Sequence, residues 1–226
     1  MSFIHNIGTK FYFRSSYGCS LYKIICVDLE KPEEENWVDV VPEHEKNVLN
    51  EVQCVNNLML VTYMQNVSDK LVVYDFDGKF VSDIKLPGIG SAFGRASGKN
   101  YFFKFTSFTD PGSINLVDME TFEVKRVAAT KLGSVNMDDF QTDQVWFPSK
   151  DGTQIPMFVI RKKSTLPTME TVPEKPIVTM MYGYGGFNVN ITPAFSANRL
   201  VLLNNLGGML CVVTLRGGGE FGEKWH

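Results

Sequence analysis

The first half of the chain alternates short apolar runs with polar turns, as β-strands joined by tight connections do. Aromatic and β-branched residues, which favour strands, dominate these runs. Three of the runs lie at residues 10–14, 58–63 and 101–105. Each is followed by a second predicted strand that ends in an apolar residue and an aspartate, and then by a turn. The first half therefore predicts a repeating unit of antiparallel strands.

The aspartates that end these second strands repeat at a nearly constant distance. They are Asp28, Asp75 and Asp118, and the two separations are 47 and 43 residues. A β-propeller blade repeats at roughly 40–50 residues and needs neighbouring blades to bury the faces of its small sheet. Asp77-Gly78 supplies a hairpin turn between two of the apolar runs, which supports the division into blades. We predict a partial β-propeller of about three blades over residues 1–133.

After about residue 134 the periodicity changes. Two apolar runs at 145–147 and 155–160 flank an Asp-Gly pair, which predicts another hairpin. A polar stretch with two prolines at 162–175 is predicted to be a surface loop. Residues 177–182 then form a continuous apolar run, which is typical of a strand buried on both faces.

A helix and a second buried strand follow this run. Thr192 and the proline after it predict the start of the helix, with threonine as the N-cap. Gly207-Gly208 predicts its end, and residues 209–215 form the next apolar run. A strand, a helix and a strand at this spacing are the beginning of an α/β sheet. The sequence thus predicts a second domain over residues 134–226.

A tyrosine- and glycine-rich motif follows the first of these buried strands. Residues 182–187 read Tyr-Gly-Tyr-Gly-Gly-Phe, and glycine lets the backbone adopt positive φ or approach a ligand closely. The tyrosines put phenolic donors at the carboxyl end of the strand, where sites on open α/β sheets form. An oxyanion-binding loop and a tight turn with packed aromatic side chains both fit this pattern.

A second glycine-rich motif, Arg-Gly-Gly-Gly-Glu-Phe-Gly, occupies residues 216–222 after the next buried strand. A triple glycine can cradle phosphate, but this one lacks the Lys-Ser/Thr ending of a P-loop. The favoured interpretation is a strained turn in which Arg216 pairs with Glu220.

Composition narrows the possible partners. The formal net charge of −3 provides no basic patch of the kind that nucleic-acid binding requires. The apolar stretch at 200–215 is interrupted by asparagines and glycines, whereas a membrane helix needs about 20 unbroken apolar residues. The N-terminus lacks a signal-peptide pattern, and the four cysteines are scattered without metal-ligand spacing, as buried free thiols would be. These features predict a cytoplasmic protein with no metal, cofactor, nucleic-acid or membrane partner.

Four motifs in the second half stand at distances that one enzyme family shares. They are the motif at 182–187, the Thr-Pro helix start, the motif at 216–222 and Trp-His at 225–226. Together they resemble the prolyl oligopeptidase family, and stretches at 41–46, 105–108 and 148–153 are similar to the same family. The related oligopeptidase B carries a different sequence at the tyrosine motif, which favours the prolyl branch.

The resemblance implies a seven-bladed β-propeller that covers an α/β-hydrolase domain. A Ser-Asp-His triad in such an enzyme cuts short peptides on the carboxyl side of proline, and the propeller excludes larger substrates. The second tyrosine of the motif, here Tyr184, donates its hydroxyl to the oxyanion in this family. The phenylalanine that follows, here Phe187, lines the apolar pocket near the proline ring. The expected partners are short proline-containing peptides, and the expected state is a monomer.

The triad itself is missing from the sequence. An α/β-hydrolase serine sits in a Gly-x-Ser-x-Gly elbow, and no serine of this chain stands in one. None of the three histidines, His5, His44 and His226, is well placed to act as the base. We therefore expect an internal fragment that stops before the catalytic serine and is inactive alone. A non-catalytic propeller-based interaction protein, or a related oligopeptidase with different primary specificity, are the alternatives.

Overall fold

The computed structural model describes residues 1–133 and 135–226. Their strands form four four-stranded sheets, where about three blades were predicted. Three of the sheets are antiparallel throughout, as the repeat predicted, and the fourth differs in kind because it contains a parallel pair. The predicted domain boundary at Ser134 lies outside the described residues.

The three antiparallel sheets follow one another along the chain. The first sheet contains β1 (Ser2–Ile7), β2 (Lys10–Ser15), β3 (Lys23–Asp28) and β4 (Val38–Val41). The second contains β5 (Val48–Val55), β6 (Leu58–Gln65), β7 (Ser68–Tyr74) and β8 (Phe80–Ile84). The third contains β9 (Ser91–Ser97), β10 (Asn100–Thr106), β11 (Ser113–Asp118) and β12 (Val124–Ala129). The three predicted first runs are confirmed as β2, β6 and β10.

The repeating aspartates share one structural task. Each stands where the third strand of its sheet ends, and its side chain accepts a backbone N–H two residues further on. The three bonds come from the N–H groups of Glu30 at 3.1 Å, Asp77 at 3.0 Å and Glu120 at 2.8 Å. Asparagine and aspartate side chains form such turns with their own backbone. The aspartate therefore fixes the turn that leads into the fourth strand of each sheet.

Stacking of the sheets explains why β6 is buried along nearly its whole length. Successive side chains of a strand point to opposite faces. Met59, Val61 and Tyr63 belong to a cluster with Ile24 of the first sheet. Leu60 belongs to the other cluster, with residues of the third sheet. The central sheet thus buries both of its faces against neighbours, as propeller blades do.

The fourth sheet is built from the second half of the chain. It contains β13 (Phe140–Pro148), β14 (Gln154–Lys162), β15 (Thr179–Tyr184) and β16 (Met209–Thr214), in the order β13-β14-β16-β15. Helix α1 (Ala197–Asn205) connects the parallel strands β15 and β16, and short 3₁₀ turns occur at Glu34–Asn36 and Met137–Asp139. The predicted hairpin at the Asp-Gly pair is confirmed, since β13 pairs with β14 around it.

Two predictions for this half are wrong in detail. The strand predicted to be buried on both faces is β15, and all of its residues are exposed. It lies at the edge of the sheet, and α1 packs against β14 and β16 instead. The helix begins at Ala197 rather than next to Thr192, because the preceding segment is held extended against the third sheet. There Ser91 Oγ donates to the carbonyl oxygen of Pro193 at 3.0 Å.

All four cysteines are free. Cys26 and Cys211 are buried, whereas Cys19 and Cys54 are partly exposed, so the prediction of buried thiols holds for two of them. Within residues 1–133 and 135–226, no helix is both long enough and apolar enough to cross a membrane.

Candidate functional site

Two loops leave the carboxyl ends of the parallel strands β15 and β16. The strands pair in register from Thr179 with Met209 to Tyr184 with Thr214, so both of these ends lie at the same edge of the sheet. The tyrosine–glycine loop (residues 182–187) includes the end of β15. The glycine loop (residues 216–222) begins shortly after β16. The fold therefore brings together the two motifs that the sequence singled out, at an edge where α/β sheets commonly bind ligands.

The backbones of these loops pass too close to each other for side chains. A Cβ atom on Gly185 would overlap the carbonyl oxygen of Arg216, and one on Gly217 would overlap the carbonyl oxygen of Gly185. Gly217 also has a φ of +106°, a conformation that residues with side chains rarely adopt. Both glycines are therefore needed for the contact between the loops.

Tyr184 and Phe187, the two predicted site residues, lie on the same loop with accessible side chains. Tyr184 is 37% exposed, and its hydroxyl lies 3.2 Å from where a Cβ on Gly186 would stand. Phe187 is 89% exposed and has a φ of +54°. A bulky residue at positive φ is an outlier that costs on the order of 1–3 kcal/mol, and such strain concentrates at functional sites. The roles given to these two residues stay predictions.

Tyr182, the other tyrosine of the loop, has a different environment. The guanidinium carbon of Arg199, on α1, lies 5.2 Å from the centroid of its ring. A cation at this distance from an aromatic face is attracted to it. Tyr182 therefore contacts the connecting helix, while the Tyr184 hydroxyl lies next to Gly186 of its own loop.

Two asparagines that the sequence analysis missed fasten the loops to each other. The N–H of Asn188 donates to the carbonyl oxygen of Gly217 at 3.0 Å. The side-chain oxygen of Asn190 accepts the N–H of Gly219 at 2.8 Å. An asparagine shortly after a glycine-rich turn is a signal for a side chain that bonds to backbone, as that of Asn190 does. The partner of each bond could not be predicted, because it lies 29 residues away in the sequence.

Glu220 is a buried carboxylate beneath the glycine loop. It is 1% exposed, and one of its oxygens accepts the N–H of Ile191 at 2.7 Å. The other oxygen is buried without a hydrogen-bond partner among the described residues. Burial raises the pKa of the Glu220 carboxyl, and the N–H of Ile191 opposes that rise. Glu220 thus connects the glycine loop to the segment that follows the tyrosine–glycine loop.

The predicted pair between Arg216 and Glu220 is wrong. Arg216 instead bonds Asp151 at 2.5 Å and Ser149 at 3.2 Å, both in the β13–β14 hairpin. The hydrogen bond from Arg216 is the main reason that the pKa of Asp151 falls to about 2. The arginine side chain lies over the exposed hairpin, whereas the glutamate is buried, so the two charged groups of one short motif face different surroundings.

Serine and histidine side chains in the described residues bond to the protein backbone. Ser91 donates to the carbonyl oxygen of Pro193, and the ring of His44 accepts the N–H of Lys46 at 3.0 Å. A serine nucleophile needs a base within roughly 2.6–3.2 Å of the hydroxyl whose proton it takes. No hydrogen bond joins a serine to a histidine in the part of the chain that the structure describes.

Comparison with known proteins identifies the family. Residues 1–130 match the family model described as "Prolyl oligopeptidase, N-terminal beta-propeller domain". The chain belongs to the prolyl oligopeptidase family. The family is one of serine peptidases, and the match assigns the antiparallel sheets to its β-propeller. The resemblance inferred from the loop motifs is confirmed.

Named relatives cover almost all of the chain. Prolyl oligopeptidase A of Galerina marginata (strain CBS 339.88) is 37% identical over 99% of the chain, and the match spans 30% of that protein. The dual function macrocyclase-peptidase POPB of Amanita bisporigera is 36% identical over 99%, again spanning 30% of that protein. Prolyl endopeptidase of Elizabethkingia meningoseptica is 33% identical over 97%. The chain thus spans about a third of the length of these relatives.

The fold matches solved structures of the same family. A structure of prolyl oligopeptidase B from Galerina marginata, bound to a 35mer hydrolysis and macrocyclization substrate, superposes with a TM-score of 0.90 at 33% identity. It covers 100% of this chain, which corresponds to 31% of that chain. A structure from a study of two prolyl endopeptidases has a TM-score of 0.88 at 32% identity.

Proposed function

We propose that the protein containing this chain is a serine-type endopeptidase that hydrolyses short peptides on the carboxyl side of proline. The observation that carries the proposal is the meeting of the two loops at one edge of the parallel strands, with Tyr184 and Phe187 accessible. Relatives named prolyl endopeptidase and prolyl oligopeptidase support the reaction class. A family structure bound to a peptide substrate supports peptides as the ligand class.

We further propose that residues 134–226 begin an α/β-hydrolase domain and that residues 1–133 belong to the propeller. The parallel pair of β15 and β16 with α1 between them supports this division. The triad serine, aspartate and histidine would lie outside these 226 residues, since no Gly-x-Ser-x-Gly elbow occurs in them. The chain would then supply the oxyanion donor and part of the substrate pocket, but no nucleophile.

Tyr184 has the chemistry that an oxyanion donor requires. Attack on a peptide carbonyl moves negative charge onto its oxygen, and a donor already aimed at that position stabilises the charge without reorganising. One such donor is worth roughly 3–4 kcal/mol of transition-state stabilisation. The close backbone packing at Gly185 holds the strand end that carries Tyr184 against the glycine loop, so the donor is fixed before substrate binds.

Phe187 suits an apolar pocket wall. Its side chain is almost fully exposed, and burying an aromatic ring against a proline ring removes apolar surface of both from water. The strained backbone at Phe187 fixes the direction in which the ring leaves the loop. We propose that Phe187 contacts the proline side chain of the substrate.

The coding sequence that follows the codon for His226 tests this proposal. We expect a Gly-x-Ser-x-Gly elbow there, and we expect the longest open reading frame, when expressed, to cleave a fluorogenic peptide after proline. A matched peptide with alanine in place of proline should be cleaved far more slowly. A stop codon directly after His226, or equal cleavage of both peptides, would contradict the proposal.

A further inference from the structure

The glycine loop makes a second contact, with the connection between β2 and β3 (residues 16–22, the β2–β3 loop). Tyr22 Oη donates to Glu223 Oε1 at 2.6 Å. The N–H of Glu223 donates back to the carbonyl oxygen of Ser20 at 3.1 Å. Gly222 packs so closely that a Cβ on it would lie 2.5 Å from that same oxygen. The β2–β3 loop therefore holds Glu223, directly after the glycine loop, by one side-chain and one backbone hydrogen bond.

The β2–β3 loop is itself held in place for this contact. The guanidinium carbon of Arg14 lies 3.5 Å from the centroid of the Tyr22 ring, and its Nε donates to the carbonyl oxygen of Leu49 at 2.7 Å. Glu43 Oε1 accepts the N–H groups of Ser20 at 2.8 Å and Leu21 at 2.7 Å. Tyr22 has a φ of +65°, which bulky residues rarely adopt. The surroundings thus maintain an unfavourable backbone conformation that aims the Tyr22 hydroxyl at Glu223.

The same glycine loop carries the contacts to the tyrosine–glycine loop. Gly217 and Gly219 bond the backbone of Asn188 and the side chain of Asn190, as described above. A cavity of about 120 Å³ lies where the three loops meet. Its lining includes Arg14, Tyr22, Asn188, Asn190, Gly219 and Glu223. The β2–β3 loop and the segment after the tyrosine–glycine loop therefore border the same cavity, and the glycine loop lies between them.

We propose that Tyr22 is a positioning residue for the tyrosine–glycine loop. Its hydrogen bond to Glu223 fixes the glycine loop, and the glycine loop fixes the backbone of residues 185–191. The proposal rests on the proposed function, because it concerns the loop that carries Tyr184. It implies that docking of the first propeller sheet and the geometry of the oxyanion donor are coupled through a contact in which the Tyr22 hydrogen bond is the side-chain part.

Amide hydrogen exchange of the 226-residue chain tests this coupling directly. Loss of one hydrogen bond that holds a segment raises the population of its open form, and exchange reports that population. In Tyr22→Phe we expect the peptides covering 185–191 and 216–222 to exchange about two- to tenfold faster, the range that one hydrogen bond produces. Peptides from β10, in the third sheet, serve as the internal reference and should not change.

Tyr17→Phe is the matched control. Tyr17 stands in the same β2–β3 loop, and its hydroxyl donates to Glu34 Oε1 at 2.5 Å, so the substitution removes the same kind of bond. That bond stays within the first sheet and does not involve the glycine loop. Equal exchange at 185–191 in Tyr17→Phe and Tyr22→Phe would overturn the proposal.

A second pair of variants keeps the test valid if Tyr22→Phe folds poorly. Glu223→Gln keeps an oxygen that can accept the tyrosine proton, whereas Glu223→Ala removes the acceptor. We expect the glutamine variant to exchange like the wild type at 185–191 and the alanine variant to exchange faster. Equally fast exchange in both would show that the bond to Tyr22 is not what holds the loop.

The kinetic readout separates this proposal from the proposed function. In the peptidase that contains this chain, Tyr22→Phe should lower kcat and raise KM, with kcat/KM falling about two- to tenfold, because the loosened segment carries Phe187 and adjoins the oxyanion donor Tyr184. Tyr17→Phe should leave both constants unchanged. If the wild type cleaves no peptide, the proposed function fails, and the exchange comparison still decides the coupling.

Discussion

Replacing Gly222 with alanine measures how tightly the glycine loop packs against the propeller. Gly222 has a φ of +84°, and a Cβ there would lie 2.5 Å from the carbonyl oxygen of Ser20 and 2.6 Å from Cδ2 of Leu21. The Leu21 side chain can turn away, but the backbone of Ser20 cannot yield easily. Ser20 is held by Glu43, and its carbonyl oxygen also accepts the N–H of Glu223. The new methyl group must therefore displace one of the two loops.

The expected loss of stability has two parts. Left-handed backbone costs an alanine roughly 1–2 kcal/mol relative to glycine. Forcing an extra methyl group into a packed contact costs typically about 1–3 kcal/mol more. Gly152 isolates the first part, since it has the same φ of +84° and no atom within 4 Å of its Cβ position. Gly152→Ala should lose about 1–2 kcal/mol, and Gly222→Ala about 2–5 kcal/mol.

Equilibrium unfolding in urea, followed by tryptophan fluorescence, gives the two free energies by linear extrapolation. Trp225 reports on the site itself, because its ring lies 4.7 Å from that of Phe221. The entropy that alanine removes from the unfolded chain is similar in both variants and cancels in the comparison. If Gly222→Ala is no less stable than Gly152→Ala, the close packing of Gly222 on the propeller loop is not a real constraint.

Three further predictions concern the site and the propeller. In the proposed peptidase, Tyr184→Phe should lower kcat by roughly 10²–10³-fold, as loss of one oxyanion donor does. An unchanged kcat would remove Tyr184 from that role. Phe187→Ala should raise KM for proline peptides, and unchanged kinetics would make Phe187 a residue without substrate contact. Burial raises the pKa of Asp69 from 3.8 to about 6, so the unfolding free energy should fall as the pH rises through this interval, by at most about 3 kcal/mol. Asp69→Asn keeps an acceptor for the N–H of Ala92 and should lose this pH dependence, and an identical pH profile for the two proteins would refute the assignment.

The blade repeat was predictable because local chemistry encodes it. An aspartate at the end of a strand bonds its own backbone two residues later, so the turn needs no information from distant residues. The same holds for the helix end at Gly207, which has a φ of +58°. Strand β16 was also predictable. A continuous apolar run indicates a strand buried on both faces, and this inference does not require knowing which elements cover it.

The wrong predictions share a different origin, in contacts between distant segments. Thr192 and the following proline have the local chemistry of a helix start, yet Ser91 and Thr106 of the third sheet hold this segment extended. The apolar run that forms β15 has the composition of a buried strand. Its exposure follows from the strand order of the sheet, which places β15 at the edge. Arg216 and Glu220 are four residues apart in sequence, and their partners come from β13–β14 and from the segment at Ile191.

The glycines of the site show why its chemistry could not be settled from the motifs alone. A triple glycine is compatible with a phosphate cradle and with a tight turn, since either only requires that side chains be absent. In the structure Gly217 faces the backbone of Gly185, and Gly218 and Gly219 face the side chains of Glu220 and Asn188. Gly222, shortly after the triple glycine, faces Ser20 of the β2–β3 loop. Protein backbone and side chains fill the space that these glycines leave. The glycine loop therefore acts as a spacer between the propeller and the tyrosine–glycine loop, and a change on the propeller side of that spacer is expected to alter the position of Tyr184.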